Sequence, residues 1–152
     1  MRILIDTNVL ISAILFPSPN MNRLMDKIAL EHTFVLPSHV MEELEVLFDT
    51  KFKGKKHLLK RFFAKYSYEY VYTPLDINPE DYPEIRDKTD LPILVSAIVA
   101  GVDLIITGDK DFFNIKTGDI EIELPVIITP KEFIEEILCQ VLLRICLYTF
   151  RY

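Results

Sequence analysis

Short, mostly apolar runs alternate along the chain with longer stretches in which apolar positions recur every three or four residues. The short runs lie at 2–5, 33–36, 69–73, 103–107 and 126–128, and they are rich in Ile, Val, Leu and aromatic residues. Runs of that length suit strands buried on both faces of a parallel sheet. The longer stretches predict helices at about 8–15, 21–31, 39–49, 54–66, 91–100 and 130–147. Boundary residues support several of them. Ser38 after Pro37 predicts an N-cap, and Gly101 predicts the close of the helix ending at Ala100. Thr129-Pro130-Lys131-Glu132 combines a capping box with Pro at the first helical position. The β-α-β alternation predicts one α/β domain of three layers, α/β/α, around a central parallel sheet of about five strands.

At 152 residues and 50% hydrophobic, the chain has enough length for a sizeable core and is too apolar for disorder. Asp6 interrupts the first apolar run, unlike a secretory leader. The apolar stretch 137–150 is broken by Gln140 and Arg144 and is too short for a bilayer span, so no membrane association is predicted. On one helix Cys139 and Cys146 stand about 10 Å apart at ~1.5 Å per residue. That is beyond disulfide reach and predicts free thiols and a cytoplasmic location.

The net charge of −6 is unevenly spread. "KFKGKKHLLKRFFAK" (51–65) holds seven of the 17 Lys and Arg and no acid, leaving 10 basic against 23 acidic residues elsewhere. The block is either a solvated helix face or a surface that grips phosphates, with Lys55, Lys56, Lys60 and Arg61 as the RNA-binding candidates. Phe62, Phe63 and Tyr66 are correspondingly core or base-stacking residues.

Ligand sites in parallel α/β sheets lie outside the carboxyl ends of the strands. Asp6 ends the first strand, where it either caps the next helix or serves a site. At about 100° per residue, Glu43 falls within the apolar arc of Val40, Leu44 and Leu47, while Glu42 and Glu45 point outward. An inward glutamate needs a partner, either a buried ion pair or a ligand. Asp90 begins the helix containing Pro92, as a cap or as a site residue, and Asp109 and Asp111 follow the fourth strand around Gly108. Together these place four or five carboxylates at one edge with no cation expected nearby, although like charges in one place raise each other's pKa. A hard divalent cation, Mg²⁺ or Mn²⁺, resolves the repulsion.

"LIDTNVL" (4–10), "EEL" (42–44), "DLPILVSAI" (90–98) and "TGDKDF" (107–112), in that order and spacing, resemble the PIN domain ribonucleases from Met1 to about Leu138. The resemblance implies a PIN-like fold and a Mg²⁺- or Mn²⁺-dependent endoribonuclease whose products carry a 5′-phosphate and a 3′-hydroxyl. Many members are VapC-like toxins of toxin–antitoxin pairs, which implies RNA as substrate and an antitoxin protein as partner. The family's acidic quartet falls on Asp6, Glu43, Asp90 and Asp109, with Asp111 as an accessory metal-site acid and Asn8 and Thr107 as polar helpers. Residues 139–152, "CQVLLRICLYTFRY", continue beyond the family's last helix. They are set apart from a nuclease domain at 1–138 as an apolar extension that serves either as core or as an interface, and a homo-oligomer, a dimer, is expected.

Two rivals are weighed. A haloacid-dehalogenase-like phosphatase also begins strand–Asp, but needs a second acid two residues on, where this chain has Asn8. A non-catalytic RNA-binding or protein-interaction module on the same fold is the alternative. His32, His39 and His57 form no pair in sequence and are read as surface or packing residues.

Overall fold

The computed structural model describes residues 1–117 and 121–135. Five strands, β1 (Arg2–Ile5), β2 (Thr33–Pro37), β3 (Glu69–Val71), β4 (Leu104–Ile106) and β5 (Val126–Ile128), form one sheet in the order β3-β2-β1-β4-β5. Every neighbouring pair is parallel. Ile3 lies between Phe34 and Leu104, Leu4 between Val35 and Ile105, and Ile5 is paired with Ile106. Apolar side chains fill the three central strands because helices cover both faces, the three-layer arrangement the runs predict.

The helices are α1 (Thr7–Leu15), α2 (Pro19–Glu31), α3 (Ser38–Thr50), α4 (Lys56–Lys65) and α5 (Leu91–Val99), with a further helical segment over 130–135. α2 begins earlier than its apolar pattern, because Ser18 accepts from the Met21 N–H at 3.1 Å and Pro19 opens the first turn. Ser38 is not the cap of α3. Pro37 holds that position, and Ser38 Oγ instead accepts from Thr73 N–H at 3.0 Å, tying α3 to the end of β3. The predicted 54–66 helix is a 3₁₀ turn at Lys53–Lys55 followed by α4.

Gly101, at φ +61°, closes α5: its N–H reaches Ile98 O at 3.0 Å and Val102 N–H reaches Ala97 O at 2.9 Å. At Thr129, the hydroxyl accepts from Glu132 N–H while the Glu132 carboxylate accepts from Thr129 N–H, completing the capping box.

Phe62 and Tyr66 are buried and Phe63 packs on the core, which assigns these aromatics to packing and leaves none free to stack on bases. Among the described residues no helix is long and apolar enough to cross a membrane. The segment 139–152, with Cys139 and Cys146, and most of the predicted 130–147 helix lie outside the described residues.

Candidate active site

The sheet order reverses at β1, which has β2 on one side and β4 on the other, so a crevice opens at the carboxyl ends of β1 and β4. The register carries Asp6 and Thr107 to that crevice side by side. Asp6 N–H bonds to Ile106 O and Thr107 N–H to Ile128 O, both at 3.0 Å.

Asp6 is 2% exposed, and its side chain makes no capping bond to the second or third residue of α1. Its Oδ2 accepts from the fully buried Thr107 hydroxyl at 2.9 Å. That hydroxyl oxygen in turn accepts from Asp109 N–H at 3.0 Å, and Asp109 Oδ1 accepts from Asp111 N–H at 2.9 Å. One hydroxyl thus links the acid of β1 to the acids after β4. Burial pushes the Asp6 carboxyl up to about 6; hydrogen bonds from Thr107 and Thr7 N–H oppose the rise, and Glu43 and Asp109 add to it.

Glu43 comes from α3, half-buried between two groups. Thr7 Oγ1 donates to its Oε2, and His39 Nε2 lies 3.6 Å from its Oε1. Its helical neighbours Glu42 and Glu45 are exposed, as the wheel predicts. The inward glutamate's ion-pair contact is with an imidazole, not with a Lys or Arg.

Asp90 ends a 3₁₀ turn (Lys88–Asp90) and stands at the N-cap position of α5 without making a cap bond. Its Oδ2 is buried with no hydrogen-bond partner. Burial, followed by the charges of Asp109, Asp6, Asp87 and Glu43, raises its carboxyl to about 7. Five carboxylates from four segments therefore share one field. Asn8 is exposed and joins Ser12, Gly108 and Asp109 in lining an adjoining cleft of about 360 Å³.

The expectation of no cation near the acids is corrected. Arg86 Nε stands 3.4 Å from Asp111 Oδ1, brought there because Glu84 and Lys116 pair backbone to backbone. His39 is also more than surface or packing: its buried Nε2 lacks a hydrogen-bond partner beside Glu43. Its place four residues before an inward glutamate on one helix was the available signal. Arg86 offered none in spacing.

The basic block is not brought to the acids. Arg61 and Lys65 line a groove with Ile14 and Pro17, beyond the far end of α1, and Lys56 pairs with Asp49 at 2.5 Å near the end of α3. α1 begins beside Asp6, and nine residues at ~1.5 Å each put about 13 Å between the two regions.

Among the described residues, no group of three or more His, Cys, Asp or Glu is placed to hold a metal ion directly. The donors are hard oxygens, one of them orphaned, and the set fits a cation that keeps most of its waters and takes one or two carboxylates directly.

The PIN domain model matches residues 2–111. The uncharacterized protein MJ1680 of Methanocaldococcus jannaschii is 30% identical over 149 residues, covering 89% of this chain and 90% of that protein. Among solved structures, VapBC2 from Rickettsia felis, bound to a DNA fragment from their promoter, superposes with a TM-score of 0.64 at 17% identity. That match covers 85% of this chain and 98% of the other.

Proposed function

Because the chain belongs to the PIN domain family, whose members are generally nucleases that use divalent metals, we propose that its acidic crevice hydrolyses RNA phosphodiester bonds with Mg²⁺ or Mn²⁺. Asp90 carries the proposal. A buried carboxylate oxygen without a partner, in the field of four more acids, does nothing for the fold as it stands.

In this reading Asp6, Asp90 and Asp109 would hold the cation, one or two of them directly and the rest through its waters, and Asp111 assists. When bound, the cation would lower the pKa of a coordinated water and offset charge on the attacked phosphate. Thr107 keeps Asp6 in place and sets the Asp109 backbone. Glu43, held by Thr7 with His39 alongside, either ligates or orients the attacking water. Water adds to phosphorus in line, the bond to the 3′ oxygen breaks, and that oxygen takes a proton. The products are a 5′-phosphate and a 3′-hydroxyl.

We further propose that the chain is a VapC-like toxin with an antitoxin protein as partner, a reading its likeness in fold to VapBC2 supports, and that it works as a dimer in the cytoplasm, as the apolar 139–152 segment and the two cysteines suggest. A second reading, a non-catalytic RNA-binding or interaction module, draws on the lack of a direct three-ligand set among the described residues.

One assay separates the two. Labelled RNA is incubated with wild type and Asp6→Asn in Mg²⁺, Mn²⁺ and EDTA. Cleavage by wild type in either metal, lost in EDTA and in Asp6→Asn, supports the nuclease. Intact RNA in every lane supports the module.

A further inference from the structure

We propose that Arg86 grips the substrate phosphate at the rim of the acidic crevice, an inference that rests on the nuclease reading above. A polyanion approaching these carboxylates is repelled, and the basic block stands at the other end of α1. Among the described residues the structure offers one Lys or Arg in ion-pair contact with the acid edge, and it is Arg86.

Its backbone is fixed on both sides. Just before it, Ile85 is buried in the core, and Glu84 exchanges two backbone hydrogen bonds with Lys116 at 2.9 and 3.0 Å. Just after it, Asp87 Oδ1 accepts from Thr89 N–H at 2.9 Å and starts the turn that delivers Asp90. Arg86 thus lies four residues before Asp90 and pairs across the crevice edge with Asp111, two residues after Asp109.

The side chain is 85% exposed while Asp111 is 13% exposed. Contact runs through Nε, so the two Nη groups remain turned to solvent. An ion pair this exposed adds little stability, and a stabilising role does not explain the placement. A planar guanidinium with free Nη donors matches two phosphate oxygens at once. Asp111 acquires a defined job here, aiming Arg86.

The test uses a fluorescein-labelled single-stranded RNA of roughly 12 nucleotides and mixed sequence, with wild type, Arg86→Gln and Arg86→Lys. Kd is read by anisotropy in EDTA, and KM and kcat in Mg²⁺. Arg86→Gln is expected to raise Kd and KM on the order of tenfold or more, the loss of one charge-assisted contact, with a smaller change in kcat and an unchanged melting curve. Arg86→Lys recovers part of the loss. If wild type cleaves and Arg86→Gln matches its Kd and KM within about twofold, Arg86 is not the grip and the nuclease reading stands. If wild type binds but cleaves in neither Mg²⁺ nor Mn²⁺, the nuclease reading falls, while a tenfold rise in Kd for Arg86→Gln still supports the grip. Absence of both binding and cleavage by wild type overturns both.

Discussion

The Thr107 hydroxyl donates to Asp6 Oδ2 at 2.9 Å, joining residues 101 positions apart, and the same oxygen accepts from Asp109 N–H at 3.0 Å. Thr107→Val keeps the shape and removes both bonds. It leaves the buried Asp6 carboxylate one donor short and the Asp109 N–H without its acceptor, at a cost of about 1–3 kcal/mol. The lost bond favoured ionised Asp6, so the Asp6 pKa rises further and the cost is larger above it than below. Urea melts near pH 5 and pH 8 should show the greater destabilisation at the higher pH. Equal losses at both would mean the hydroxyl does not serve the charged form.

Asp6 and Asp90, raised from 3.8 to about 6 and about 7, also set a direction for the metal-free protein. The folded state holds more protons than the unfolded chain between those values. The stability these two groups lend is full below about pH 4 and is lost as pH rises through about 6 and 7. In EDTA the Tm should fall across that window, and the fall should shrink in Asp90→Asn. An identical pH profile for that variant would remove Asp90 from the shared field.

The basic block, about 13 Å from the acids, should matter only to long substrates. Replacing Lys55, Lys56, Lys60 and Arg61 with Gln should leave KM for an RNA of about four nucleotides unchanged. For an RNA of about 20 nucleotides the log–log salt slope should fall by about 0.7 per lost phosphate contact. An unchanged slope on the long RNA would make the block a solvated surface.

Periodicity was enough to place the five strands, the inward turn of Glu43 and the convergence of Asp6, Asp90 and Asp109 on one edge, since a parallel sheet sends every βα junction to the same side. Gly101 and the Thr129–Glu132 box were legible because their partners are local. What escaped depends on contacts distant in sequence. Ser38 serves β3 through Thr73 instead of capping its own helix. Arg86 reaches Asp111 through a single backbone bridge, Glu84 to Lys116, which leaves no periodic trace. The 51–65 block shows its charge in sequence but not which end of the sheet it occupies. Its aromatics, equally suited to a core or a base, were decided by packing.

Whether the crevice is a divalent-cation site is tested most directly by the Mg²⁺-induced shift in Tm of wild type and Asp90→Asn, measured in one buffer near pH 8. A cation that binds the folded site alone stabilises by RT ln(1 + [L]/Kd), about 2.7 kcal/mol at a hundredfold excess over Kd. Asp90 makes no cap bond, so the substitution removes a repelling charge without uncapping α5. Asp90→Asn should therefore melt above wild type in EDTA and gain far less than wild type from Mg²⁺. Equal Mg²⁺ shifts in the two proteins, or none in wild type at saturating Mg²⁺, would contradict the assignment of these acids to a metal.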